Sequence, residues 1–249
     1  MKQKQKMTKS EAEKLKKFCQ ITKITVKKLE LLKVALTHRS YVNEHRTGRP
    51  EHNEKLEFLG DAVLELLVSR HLFDNYPDKA EGELTSFRAA TVRTESLFEE
   101  AQRLNYGRFI FMSKGEENTG GRERPYILAN TFEAVIGAVY LDLGLDVVKK
   151  FLKRELFYKI PEIVEKRLDI DGKSKLQEIS QEVVKETPQY EVLEAAGPDH
   201  AKEFTARVLV KGKDFGKGTG NSKQDAEQKA AENAIKNWKE LIAEYFNID

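Results

Sequence analysis

Cysteine is nearly missing from this chain of 249 residues. Cys19 stands alone, which excludes an internal disulfide and a cysteine-based metal cluster and favours a reducing, intracellular setting, the cytoplasm. Net charge is small as well, at +2. Total charge therefore does not mark a nucleic-acid binder, and any such role must rest on local patches. No apolar run approaches the roughly 18–20 residues of a membrane span, so no membrane partner is expected. The opening "MKQKQKMTKSEAEK" has no apolar stretch of the signal-peptide kind. We read residues 1–14 as a flexible, lysine-rich basic tail. The chain does have enough apolar residues for a sizeable core, 39%, and enough charge for a well-solvated surface, 34%. Its length suits one large or two modest domains.

Apolar residues recur at three- and four-residue steps in "VKKLELLKVAL", "AVLELLVSRHLF", "TESLFEEAQRL" and "TFEAVIGAVYL". Alternating segments are scarce up to about residue 165, so residues 15–165 read as an all-helical domain, with breaks at "NYPD", at "KAEGE" and in a long polar loop, "SKGEENTGGRERP". A polar linker occupies 166–173. The period then changes. Ser174 with Gln177 reads as a capping box opening a short helix that Pro188 stops. "QYEVLEA", "EFTARVLV" and "FGKGTG" read as strands, the last two joined by a "KGKD" turn. Ser222 with Asp225 caps a last helix carrying Ala226, Ala230, Ala234, Ile235 and Trp238. Residues 174–240 thus form a small α+β module of order α-β-β-β-α with both helices on one face of the sheet, and 241–249 a C-terminal tail.

The segment "HNEKLEFLGDAVLEL", residues 52–66, is apolar almost all round as a helix, which predicts an interior position. Yet Glu54, Glu57 and Asp61, spaced i, i+3, i+7, share one stripe that Glu65 prolongs. Unpaired carboxylates at the floor of a cleft repel one another and lose hydration, at several kcal/mol per ion. A hard divalent cation offsets that cost, and Mg²⁺, which keeps several waters, suits oxygen ligands. A second apolar helix, "ILANTFEAVIGAVYLD" (127–142), repeats the logic with Asn130 and Glu133, and Gly137 one turn on permits close approach of another helix. Glu57, Asp61, Asn130 and Glu133 form the expected ligand set. Such a site suits phosphoryl-transfer hydrolysis without a cysteine or serine nucleophile.

These residues resemble bacterial ribonuclease III. The likeness extends from "HNEKLEFLGDAVLEL" to "ALTHRSY" (35–41), to Glu81-Gly82 in "KAEGELTSFRAATV", to "KGEENTGGRERP" and to "TFEAVIGAVYLD", and the C-terminal module resembles the family's double-stranded RNA-binding domain. The resemblance implies cleavage of double-stranded RNA with Mg²⁺ (Mn²⁺ substituting) to 5′-phosphate and 3′-hydroxyl ends with a short 3′ overhang. It also implies a homodimer with both sites in one valley, no organic cofactor, and roles in rRNA precursor processing and mRNA turnover. Carried over by position, Asp61 and Glu133 are the catalytic pair, Glu57 a further acidic ligand, Glu54 and Glu81 cleft-supporting acids, and Phe58 a dimer-seam residue. One departure is Asn130, where the family usually has aspartate; its carbonyl oxygen still ligates a metal but brings no charge.

Duplex RNA is read by shape through 2′-hydroxyls and phosphates across about 16 base pairs. The candidate contacts are Gln177, Glu178 and Gln181 on the first helix of the module, His200 in the "GPDHAK" loop, and Ser222 and Lys223 at the start of the last helix, where free N–H groups favour phosphate. Gln224 stands where the family usually has a second lysine. His38 and Arg39 are read as scaffold, and Phe109 and Phe111 as core. The rival reading is a catalytically inactive double-stranded RNA-binding protein, with Asn130 as a sign of decay. A phosphohydrolase acting on small nucleotides has no use for the C-terminal module.

Overall fold

The computed structural model describes residues 7–44, 51–198 and 202–246. The chain separates into two units, Met1–Asp169 and Ile170–Asp249, each with its own hydrophobic core.

The first unit is helical. Helices α1 (Lys9–Thr22), α2 (Leu29–Ala35) and α3 (Arg39–Glu44) lead into the long α4 (Glu54–Asn75). They are followed by α5 (Glu81–Val92), α6 (Thr94–Arg103), α7 (Tyr106–Phe109) and α8 (Lys114–Asn118). Helices α9 (Pro125–Leu143), α10 (Leu145–Glu155) and α11 (Ile160–Lys166) complete it. The basic tail is shorter than expected: α1 begins at Lys9, held by a capping box between Thr8 and Glu11, and it buries Leu15, Phe18 and Thr22. Residues 1–6 lie outside the described residues. "SKGEENTGGRERP" is not a plain loop either. It forms α8 and a 3₁₀ turn over Gly121–Glu123, tied down by Arg124–Glu116 (2.5 Å) and Arg122–Glu117 (2.6 Å).

Helix α9 starts on Pro125, whose missing N–H costs nothing at the first helical position, and ends at Gly144 with φ +83°. Helices α2, α4, α6 and α10 surround it, so Phe132, Val135 and Ile136 are fully buried. By length and composition it is the one described helix apolar enough to cross a membrane, which corrects the expectation that the chain has no such segment. Asn130 and Glu133 interrupt its apolar run, and burial in the core accounts for the rest.

Helix α4 corrects another expectation. Leu56, Val63, Leu64, Leu67, Val68 and Leu72 are buried, but Phe58 (80% exposed), Leu66 (56%) and Phe73 (69%) face solvent. Within one chain α9 and α5 cover one side of the helix only. Its all-round apolarity reflects two faces with two different fates.

In the second unit, α12 (Gly172–Val183) precedes β1 (Gln189–Ala196), β2 (Glu203–Val210) and β3 (Lys213–Gly220), an antiparallel sheet of order β1-β2-β3. Helices α13 (Lys223–Lys236) and α14 (Trp238–Phe246) follow. Ala206, Val208 and Val210 are fully buried, as the alternation in β2 requires. Lys211 (φ 48°) and Gly212 (φ 75°) form the β2–β3 turn, the positive-φ pair that suits a tight hairpin. Helix α13 rests on β2 and β3. A Cβ on Gly218 would lie 2.2 Å from the Ala230 nitrogen, so glycine in the strand and alanine in the helix together set this close spacing.

Three boundaries differ from expectation. Asp171, not Ser174, caps α12, accepting from the backbone N–H groups of Lys173 and Ser174 at 3.0 Å each. Trp238 opens α14 rather than ending α13. Residues 241–246 are not a tail: α14 buries Trp238 and Ile242, and Phe215 lies 5.1 Å from the Trp238 ring and 5.7 Å from that of Tyr245. Each capped or aromatic contact stabilises more chain than local propensity alone indicates.

Candidate active site

Helices α4 and α9 meet at two glycines. A Cβ on Gly60 would lie 1.8 Å from the Glu133 carbonyl oxygen, and one on Gly137 would lie 2.2 Å from that of Leu56. The backbones therefore touch, and the acidic stripe of α4 comes against Asn130 and Glu133 of α9. Gly137 was legible in the sequence as a close-approach position; its counterpart Gly60 was not singled out, although it lies one residue before Asp61.

Burial, then the carboxylates of Asp61, Glu57 and Glu65, push the half-buried Glu133 up to about 8 from an ordinary 4.5. Glu57 is raised by burial and by Glu54 and Asp61, while a hydrogen bond from the Asn130 amide pulls it back down. Asp61, Glu54 and Glu65 are exposed. Five acids and one amide thus share one patch. Glu65 enters it more fully than the sequence indicated. Glu54, the outermost acid, has the Arg39 guanidinium beside it at 3.6 Å and the His52 ring at 3.7 Å. Glu81 opens α5, which packs on α4, and accepts from Thr85 Oγ1 at 3.1 Å.

The rest of the unit shows how differently a buried carboxylate is normally treated. Glu100 and Glu155, 1% and 5% exposed, are both clamped by Arg103, at 2.7 and 2.6 Å, and Lys159 adds a 2.8 Å contact to Glu100. Among the described residues, Glu57, Asp61, Glu65 and Glu133 have no cationic side chain within ion-pair reach. Nor do three His, Cys, Asp or Glu side chains there converge into a preformed metal cage. The donor set is oxygen only, open to solvent on one side, with uncompensated negative charge. That suits a hard, hydrated divalent cation, which needs one or two carboxylates directly and retains water on its other faces.

The raised Glu133 has a signed consequence. Its folded state binds a proton that the unfolded chain releases above its ordinary carboxylate range. Stability of the metal-free protein should therefore fall as pH rises from about 4.5 to about 8. Thermal melts in chelator across this window check it, and Glu133→Gln should flatten the slope. An equal slope in both proteins would contradict the assignment.

The Ribonuclease-III-like family matches residues 28–160, and the Double-stranded RNA binding motif matches residues 173–237. Ribonuclease 3 of Desulforamulus reducens is 51% identical over 205 residues, covering 82% of this chain and 83% of the relative. Ribonuclease 3 of Anoxybacillus flavithermus is 48% identical over 228 residues, covering 92% and 95%. The chain belongs to the ribonuclease III family. A solved structure of the nuclease domain of ribonuclease III from Campylobacter jejuni, 41% identical, superposes with a TM-score of 0.55, covering 59% of this chain and 99% of that one. The described fold is accordingly that of a ribonuclease III nuclease domain followed by a double-stranded RNA-binding domain.

In that second domain Gln177, Glu178 and Gln181 are exposed on α12, and Ser222 and Lys223 are exposed at the start of α13. Ser222 Oγ accepts from the Asp225 N–H at 3.1 Å, so one of the free N–H groups there is already satisfied. Gln224 is exposed beside Lys223. His200 lies outside the described residues. In the first domain His38 Nδ1 is engaged with Ser40 Oγ at 2.8 Å, and Phe109 and Phe111 are core residues, 3% and 9% exposed.

Proposed function

We propose that this ribonuclease III-type endoribonuclease, which acts on double-stranded RNA, does so with Mg²⁺ held by Glu57, Asp61, Asn130 and Glu133. Mn²⁺ would substitute, since both cations accept oxygen ligands. The observation that carries the reading is the uncompensated acidic patch at the α4–α9 crossing, in a domain that pairs its other buried carboxylates. When bound, the metal supplies an activated water and offsets negative charge at the leaving oxygen. A water oxygen would bond to phosphorus as the P–O3′ bond breaks, and the leaving O3′ would take up a proton to balance the one the water gives up, leaving a 5′-phosphate and a 3′-hydroxyl. Asp61 and Glu133 would hold the cation from two helices, and the glycine crossing keeps those helices in contact. Glu54, and Glu81 further off, line the cleft.

The exposed stripe Phe58, Leu66, Phe73 supports a homodimer seamed along α4. We assign the lone-cysteine chain to the cytoplasm, with ribosomal RNA precursors and structured transcripts as its substrates. In the second domain Gln177, Glu178, Gln181, His200, Ser222 and Lys223 are the proposed duplex contacts.

The test is incubation of the full chain with an end-labelled RNA duplex, in Mg²⁺ and in chelator. Discrete products with 5′-phosphate ends, formed only in Mg²⁺, are expected. Retained duplex binding with no cleavage in either Mg²⁺ or Mn²⁺ would favour the inactive RNA binder.

Two further outcomes follow from named residues. Asn130→Asp adds a charge to the ligand set, so the Mg²⁺ concentration for half-maximal cleavage should fall; coincident titrations would count against Asn130 as a ligand. Lys223→Glu should weaken duplex binding and make its salt dependence shallower by about one unit of slope or more. An unchanged slope removes Lys223 from the contacts.

A further inference from the structure

The acidic patch raises a difficulty for the substrate. An RNA backbone carries a negative charge at every nucleotide, and a metal at the centre of the patch leaves Glu54 and Glu65 at its edges. Something cationic must stand at the rim. Two groups do, and they differ in how they are held. Arg124 is fixed: its guanidinium reaches Glu116 at 2.5 Å, the Thr119 carbonyl at 3.0 Å and the Tyr126 hydroxyl at 3.2 Å. Tyr126 is half exposed and lies one helical turn before Asn130 on the same stripe of α9.

Arg39 is the loose one. Its side chain is 67% exposed, and its only ion pair among the described residues is the 3.6 Å contact with Glu54. That is well beyond the roughly 2.7–2.9 Å of a committed charge-assisted bond. Exposed pairs of this kind contribute little, so exchanging the carboxylate for a phosphate meets little resistance. The base of Arg39 is nevertheless rigid. The His38 N–H donates to the Phe111 carbonyl at 2.9 Å, the Phe111 N–H donates to the Leu36 carbonyl at 2.7 Å, and Ser40 holds the His38 ring. Arg39 and Arg124, with Glu54 and Glu116, are among the charges that act on that ring.

We propose that Arg39 is a positioning residue that leaves Glu54 to grip a backbone phosphate of the cut strand next to the scissile one, opposite the fixed Arg124–Tyr126 wall. The ligand is a ribose-phosphate of RNA, and the arm acts in addition to the contacts of the second domain. This revises the sequence-based view of Arg39 as scaffold. A guanidinium suits the role because its planar fork matches two phosphate oxygens at once.

The inference rests on the nuclease reading above, and the test separates the two. Full-length wild type, Arg39→Ala, Arg39→Lys and Arg39→Ala/Glu54→Gln are compared in Mg²⁺-dependent cleavage and, in chelator, in duplex binding across a salt series. Arg39→Ala should raise KM about tenfold, the scale of a lost charge-assisted contact. Its kcat should change far less, and its salt slope should become shallower by about one. Arg39→Lys should recover part of the loss. The double variant should keep the raised KM, because removing Glu54 restores no grip on phosphate. An unchanged KM and slope in Arg39→Ala, or a wild-type KM in the double variant, overturns the proposal; the latter result would mean that Arg39 serves only to neutralise Glu54. Wild type that binds duplex and never cuts it defeats the nuclease reading instead, and the salt slopes then decide Arg39 alone.

Discussion

Asp61→Asn should abolish cleavage of duplex RNA and leave duplex binding intact or slightly stronger. Asp61 is exposed on α4, so exchanging one oxygen for an amide alters little packing. It removes a full charge at the point where the α4 stripe meets Glu133. The proposed ligand set already includes one neutral member, Asn130, and a second leaves two carboxylates to bind the cation and fix the phosphate. Losses for one electrostatic contact to a transition state run to about 10²–10³, and a ligand that also sets metal affinity should cost at least the upper end. Removing a negative charge beside the backbone eases RNA approach. The check pairs a single-turnover cleavage course in Mg²⁺ with a binding titration in chelator. A variant that cuts within about tenfold of wild type would remove Asp61 from the centre of the site.

Gly60→Ala is the second large effect, and here structure rather than charge is at issue. The added methyl would meet the Glu133 carbonyl oxygen at 1.8 Å and its carbon at 2.6 Å. Both are backbone atoms, so no rotamer change relieves the clash and the helices must part. Overpacking of this kind costs about 3 kcal/mol, which for a domain of this size lowers the melting temperature by roughly 6–12 °C. Separation also shifts Glu133 relative to Asp61, and a misplacement near 1 Å costs about a hundredfold in rate. Gly82→Ala is the matched control. It lies in α5 with nothing within 4 Å of the added atom, so its melting temperature should hold or rise. Equal melting temperatures for Gly60→Ala and wild type would mean that the crossing is softer than the contact distances imply.

The two variants probe what could and could not be seen in the residues alone. The acidic spacing on α4 and the Asn130–Glu133 pair on α9 were visible, because helical periodicity converts i, i+3 and i+7 into one stripe without further information. That the two stripes meet depends on Gly60 and Gly137 touching opposite backbones, a contact between residues 77 positions apart by number that no local pattern encodes. Glu81 shows the opposite limit: its position in the motif indicated a cleft acid, and the contact its carboxylate makes is with Thr85 of its own helix. Arg39 reads as scaffold in the sequence because an exposed arginine beside a half-buried histidine resembles any scaffold pair until Glu54 is found beside it.

Element ends followed a similar division. Caps are short-range chemistry, yet Asp171 displaced Ser174 at the start of α12 because both offered an oxygen and only the folded backbone chose between them. Helix α14 was missed since its apolar residues, Trp238, Ile242 and Phe246, acquire meaning only against Phe215 of β3.

By itself the sequence determined that a helical domain precedes a small α+β domain, and that two of its helices carry acidic and amide side chains at one-stripe spacing. Periodicity, charge and composition are local properties, and the chain states them directly. Tertiary structure alone decided which faces of α4 are covered, how closely α4 and α9 approach, and which acids remain without a cation. Those outcomes depend on contacts between distant segments, where a single missing Cβ or a single unpaired guanidinium sets the energy.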